Sequence, residues 1–440
     1  RQDNSMDINK VNTVCLLNDS FPPYIDGVAN TVVNYATHIR EDGGNPIVLT
    51  PQHPQADDSQ FPYQVLRYRS IDTQKLTGYR AGVPFSPEVA HKLSNEQVSV
   101  LHSHCPIIST LLGRQLRQIV CAPLILTYHT KFDIDIANVI KSKRLQSGSK
   151  KILVENINAC DEVWTVSHGA GENLRSLGYE GDYIVMPNGV DIPRGRVSDD
   201  EILAATSGYD LPSGVPIYLF VGRIMWYKGL RLIVDALAGL REANKDFRMV
   251  FVGNGADMDE LKAHAAKCGV LEKCIFPGAI HDRQTLRAWY SRADLFLFPS
   301  TYDTNGLVVR EAAACGLASV LIRGSCAAEG VLDGVNGFLV DETPVSLFYR
   351  LLQLHDQPSI MASIGEHAAE QLYISWKDAV TAAVERYEVV IDRYRSGNCP
   401  RYRKPMEYYL KANGELMDEL GQFVALGDML RQYKNSGGRF

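Results

Sequence analysis

No uninterrupted apolar run in the 440 residues approaches the roughly 20 that a helix needs to cross a bilayer, so no spanning anchor is expected. The opening stretch, RQDNSMDINK, lacks the apolar core of a signal peptide. No Cys-x-x-Cys pair occurs, and the nine cysteines are an odd number without regular spacing. That argues against a zinc ribbon or a disulfide scaffold and for reduced thiols in a reducing compartment. An excess of positive charge is also missing: 45 Lys and Arg face 51 Asp and Glu, so nothing draws the whole chain toward nucleic acid. There is no low-complexity segment and no clean internal repeat. The expected location is the cytoplasm, with a peripheral seat at the inner face of the membrane as an option taken up below.

What remains is an ordinary globular composition, 45% apolar and 22% charged, on a chain too long for one hydrophobic core. Short apolar, β-rich runs alternate with helical patterns. TVCLLN from Thr13, PIVLT from Pro46, VSVLHSH from Val98, PLILTYH from Pro123 and EVWTVS from Glu162 form one series. PIYLFVG from Pro216, RMVFVG from Arg248, CIFPG from Cys274, DLFLFPS from Asp294 and ASVLI from Ala318 form a second. Near-continuous apolar strands with helical crossovers predict parallel sheets buried on both faces. The fold expected is α/β, with two doubly wound Rossmann-like domains, 1–192 and 193–375, facing each other across a ligand cleft. Residues 376–440 are expected to supply helices that return to the first domain, then a tail rich in Tyr and charge.

In such sheets ligands bind beyond the carboxyl ends of the strands, so the strand-to-helix junctions carry the chemistry. After DLFLFPS come Asp303, Asn305, Gly306, Leu307, Val308 and Glu311. A helix starting near Gly306 offers unpaired N–H groups and the positive end of its dipole, a seat for phosphate. Glu311, about one turn in, suits the two hydroxyls of a ribose, and Asp303 suits sugar hydroxyls. Plainer roles fit each acid equally well: Asp303 as a helix cap, Glu311 as a solvated residue. After YLFVG, Arg223 and Lys228 flank a turn and can converge on one dianion. Gly27, after the first strand, permits close backbone approach. His129 ends PLILTYH, where packing is the commoner role. Ile280, after CIFPG, completes the donor-side set. Asp133 and Asp135 do not read as a metal pair, Gly253-Asn-Gly255 reads as a plain turn lining the cleft, and no metal or cofactor is expected.

Taken together, GLVVREAAACGLASV around the Asp303–Glu311 pair, VGRIMWYKG, MPNGVD and GVNGFLV resemble, in order, glycosyltransferase family four, a retaining group with the GT-B fold. The likeness runs from about Val14 to about Tyr387, and diacylglycerol glucosyltransferases are among the members it suggests. The resemblance implies that Arg223 and Lys228 bind the donor diphosphate and that Glu311 holds the ribose. It implies further that Asp303 contacts the transferred sugar, that the Gly306–Val308 amides meet phosphate and sugar, and that His129 faces the sugar. The family usually has Glu at 303 and an aromatic at 305, so Asp303 and Asn305 leave the sugar open.

The expected activity is therefore metal-independent transfer, with retention, of a hexose-type sugar from a nucleotide diphosphate sugar, a UDP-sugar first, to an acceptor hydroxyl of a lipid, glycan or small molecule. A sugar-nucleotide epimerase and an inactive accessory subunit are the rivals. Lys141, Lys143, Arg144, Lys150 and Lys151 put five cations in eleven residues. Such a run either sits on an anionic membrane surface or is a solvated helix and loop.

Overall fold

The computed structural model describes residues 13–24, 26–129, 143–398 and 405–435. The chain forms two compact units, one comprising residues 1–166, 170–186 and 376–440, the other 167–169 and 187–375. The main division thus falls at Met186–Pro187, a few residues before the expected 192/193.

The first unit is built on β1 (Thr13–Leu17), β2 (Asn45–Pro51), β3 (Gln64–Tyr68), β6 (Val98–Ser103), β7 (Leu124–Tyr128), β8 (Glu162–Thr165) and β9 (Ile184–Val185), with β4 (Ser70–Ile71) and β5 (Ala81–Gly82) as a separate antiparallel ribbon. The sheet order is β3-β2-β1-β6-β7-β8-β9, and all its neighbours are parallel. Every residue of β1, β7 and β8 is buried, which is why their sequences show no polar alternation. The order reverses between β1 and β6.

The second unit repeats the plan with β10 (Ile217–Val221), β11 (Arg248–Val252), β12 (Cys274–Gly278), β13 (Leu295–Phe298), β14 (Ser319–Ile322) and β15 (Phe338–Val340). The order is β12-β11-β10-β13-β14-β15, again parallel throughout. Stacked rings fill its core, Phe251 on Phe276 at 5.4 Å and Phe296 on Phe298 at 5.7 Å. The fully buried rings Phe251, Phe296 and Phe298 each contribute about 1.5–3 kcal/mol on burial. The order reverses between β10 and β13, so the exits of these two strands lie side by side, and that is the place where this architecture binds ligands.

The C-terminal residues belong to the first unit. The helix Trp376–Arg395 buries Tyr387 in a stack on Trp164, ring centroids 5.4 Å apart. Arg386 and Arg393 both pair with Glu162. The stretch from Arg395 onward, expected as a tail, is instead mostly a helix, Pro405–Asn435. Met417 enters the first unit's core, and Arg114 pairs with Glu407. A Cβ on Gly414 would stand 2.6 Å from the Gln115 carbonyl oxygen, and one on Gly421 2.2 Å from that of Pro87. Two glycines about two turns apart on one face therefore let this helix lie backbone-close on its neighbours, a pattern that charge and Tyr content hid. Among the described residues no helix is long and apolar enough to cross a membrane. Asp133, Asp135 and Lys141 lie outside the described residues, as do the side chains of Lys143 and Arg144.

Candidate active site

In the second unit the exits of β10 and β13 converge. Gly222 and Arg223 follow β10, and a short turn carries Lys228 into the helix Leu230–Glu242. Lys228 is buried, yet its Nζ lies 2.6 Å from Asp303 Oδ1 across 75 residues of sequence. Ser300 donates to the other oxygen, Asp303 Oδ2, at 2.5 Å. The Lys228 ammonium also stands over the rings of Tyr227 and Phe298, 5.6 and 5.7 Å from their centroids. Arg223 is exposed and has no hydrogen-bond partner among the described residues.

Backbone-on-backbone packing shapes this floor. A Cβ on Gly253 would stand 1.9 Å from the Gly222 carbonyl oxygen, one on Gly255 2.1 Å from that of Ile224, and one on Gly229 2.3 Å from that of Pro299. The Gly253-Asn-Gly255 turn is thus a tight seam between the β10 and β11 exits, held by Ile224 N–H donating to the Asn254 carbonyl at 3.0 Å.

The helix Leu307–Ala314 starts where the sequence placed it. Gly306 precedes it in the left-handed conformation, φ +57°, and a Cβ there would meet Ala327 Cα at 2.9 Å. No side chain caps this helix. Asp303, the expected alternative cap, is engaged by Lys228 and Ser300 instead. The leading amides at Gly306, Leu307 and Val308 are thus left for a ligand. Gly27 differs. Asp26 Oδ1 accepts from Val28 and Ala29 N–H at 2.9 and 2.8 Å, so two donors of the seat expected there are taken. A Cβ on Gly27 would meet nothing within 4 Å.

Glu311 is not a solvated residue. It is buried, accepts from Tyr290 Oη at 3.0 Å, and pairs with Arg283 at 3.1 Å. Burial raises its carboxyl above the usual range against the pull of Arg283 and Tyr290. Arg283 also reaches Asp191 at 3.0 Å. The sequence reading missed Arg283, Tyr290 and Asp191; only Asp191, the last residue of MPNGVD, carried any signal. Asn305 presents a buried amide with no partner on either atom. It lines a pocket with Ser167, Gly306, Arg310 and Glu329. Ile280, just past β12, packs partly buried against this unit's core.

His129 lies in the first unit, at the end of β7. It is buried, and its Nε2 is 3.0 Å from His104 Nδ1. Burial lowers its imidazole to about 3, which keeps it neutral. His102 stands next in the cluster, bonded to Tyr387 Oη at 2.5 Å and Thr127 Oγ1 at 2.7 Å.

Two parallel, doubly wound units with an uncapped helix and paired ions at a strand-order reversal define a GT-B architecture. Comparison with known proteins places it further. Residues 25–194 match the family described as Glycosyltransferase Family 4, and residues 206–371 match Glycosyl transferases group 1. A D-inositol 3-phosphate glycosyltransferase from Xylanimonas cellulosilytica is 30% identical over 340 residues, 74% of this chain and 79% of that one. A GDP-mannose-dependent alpha-mannosyltransferase from Corynebacterium glutamicum is 25% identical, covering 76% and 78%. An alpha-monoglucosyldiacylglycerol synthase from Streptococcus pneumoniae is 23% identical, covering 68% and 69%. Among solved structures, sucrose-phosphate synthase from Thermosynechococcus elongatus superposes with a TM-score of 0.68 at 20% identity, over 87% of this chain and 99% of that one. The chain belongs to glycosyltransferase family 4. It is a glycosyltransferase that takes a nucleotide-sugar donor.

Proposed function

We propose that this enzyme moves a hexose-type sugar from a UDP-sugar to an acceptor hydroxyl, with retention of anomeric configuration and without a catalytic metal. The observation that carries the reading is the meeting of Lys228, Asp303 and the uncapped Gly306–Val308 amides where the strand order of the second unit reverses. Breaking the bond between sugar and diphosphate leaves negative charge on the phosphate. Lys228, Arg223 and the helix amides are the groups that neutralise it, and preorganised charge of this kind is usually the largest catalytic contribution. Side-chain cations then do what a divalent ion does elsewhere. Glu311 holds the ribose, and Asn305 and Ile280 line the donor side. Asp303 orients the sugar hydroxyls once Lys228 shares itself with the phosphates. The acceptor enters on the face the diphosphate leaves, and its proton passes to the leaving phosphate.

For the acceptor we favour a lipid hydroxyl presented at an anionic membrane surface. The cation run from Lys141 to Lys151 and the relative named for diacylglycerol support it. A GDP-sugar is the second donor reading, because another relative is named for GDP-mannose.

The test is product analysis by NMR with each donor, in EDTA, using vesicles that contain diacylglycerol and an anionic lipid. An α-linked product from an α-linked donor, lost in Asp303→Ala, is the expected result. An inverted product, or full turnover by Asp303→Ala, would contradict the mechanism. A changed sugar without any acceptor would make the chain an epimerase.

A further inference from the structure

The second unit holds a cluster the transfer reaction does not use. Asp235 sits on the helix Leu230–Glu242. His264 lies on the helix Met258–Lys267, and Cys268 ends that helix one turn later. His264 Nε2 is 2.6 Å from Asp235 Oδ1. Cys268 Sγ is 3.8 Å from the same nitrogen and 3.9 Å from the same oxygen. Among the described residues this is the one group of His, Cys and acidic atoms close enough to share an ion. All three side chains are half-buried, so an ion can reach them from solvent.

We infer that Asp235, His264 and Cys268 form a zinc site of three protein ligands, with water as the fourth. A thiolate, an imidazole and a carboxylate are the ligand types that zinc accepts. Tetrahedral bonds of ordinary length would set the sulfur about 3.6 Å from the other two ligand atoms and those two about 3.4 Å apart. The sulfur distances already fit. Only the His264–Asp235 contact must open, as the ion replaces the proton they now share. Binding releases the thiol proton and leaves the imidazole proton on Nδ1.

The arrangement does not suit a nucleophilic cysteine. In such a triad the acid holds one imidazole nitrogen and the thiol meets the other, whereas here both converge on Nε2. The frame is also fixed beforehand. Arg241, on the helix that carries Asp235, donates to the Cys268 carbonyl at 2.6 Å. The ion would join the helix that begins just after Lys228 to its neighbour.

The experiment uses the full chain, stripped with EDTA and desalted under reductant. Zinc is titrated against a chromophoric chelator, and Co(II) serves as an optical probe. Cys121→Ser removes from play the exposed cysteine among the described residues. We expect one equivalent to bind and a thiolate-to-cobalt charge-transfer band to appear. Cys268→Ala and Asp235→Asn should weaken binding by at least about tenfold, and the band should vanish in Cys268→Ala. Circular dichroism of each variant confirms its fold. No stoichiometric binding, or equal affinity in folded variants, would overturn the site and leave a plain His–Asp hydrogen bond. Sugar transfer is not the readout, so this result stands apart from the donor reading.

Discussion

At the residue scale, burial decides what the titratable groups do. His129 carries the clearest consequence. Its imidazole is held near 3 against an ordinary 6.5, so the folded protein resists a proton that the unfolded chain accepts. Stability from this group is therefore complete above pH 6.5 and is lost as pH falls toward 3. At pH 5 the loss is about 2 kcal/mol from this residue. His102 and His104, also buried and lowered, act in the same direction. Urea midpoints at pH 7.5 and 5 for the parent and His129→Gln check this. The variant should lose markedly less on acidification; an unchanged pH dependence would mean that His129 is not buried neutral. Glu311 shows the opposite pattern, a carboxyl raised by burial yet hydrogen-bonded to Tyr290. Spacing alone placed Glu311 in a helix near the phosphate seat. It gave no sign of Tyr290 or Arg283, because these come from the preceding helix and carry no motif. The Lys228–Asp303 contact was equally out of reach, since it depends on β10 and β13 being neighbours.

At the scale of elements, the strands were legible because burial on both faces leaves unbroken apolar runs. TVCLLN became β1 and DLFLFPS became β13 with little change at their ends. The strand β9 has only two residues, since the residues after it already lead into the second unit. Pro405–Asn435 was hidden because its contacts rely on glycines and scattered polar residues rather than an apolar stripe. The glycines at the junctions differ in what a side chain would meet. Gly253→Ala forces a Cβ against the Gly222 carbonyl and should cost at least about 2 kcal/mol. Gly27→Ala places a Cβ in open space and should change stability by less than about 0.5 kcal/mol. Urea denaturation of both variants measures this. If Gly27→Ala keeps stability but loses transfer, Gly27 faces substrate; a Gly253→Ala variant as stable as the parent would mean that the seam between the β10 and β11 exits is not as close as described.

For the molecule as a whole, the proposed transfer requires the second unit to seat a nucleoside diphosphate on Lys228, Arg223 and the Gly306–Val308 amides, with Glu311 on the ribose. A protein of two compact units need not unfold in one step, so the midpoint of each transition is the quantity to follow. Fluorescence thermal shifts with UDP, GDP, ADP and their sugar conjugates, in EDTA, test the claim most directly. A ligand at 100 times its Kd stabilises by about 2.7 kcal/mol, a shift of several degrees. Such a shift is expected with one diphosphate, UDP first, reduced by more than half in Lys228→Ala and in Glu311→Gln at the same ligand concentration. No shift with any diphosphate, or a shift of full size in both variants, would contradict it.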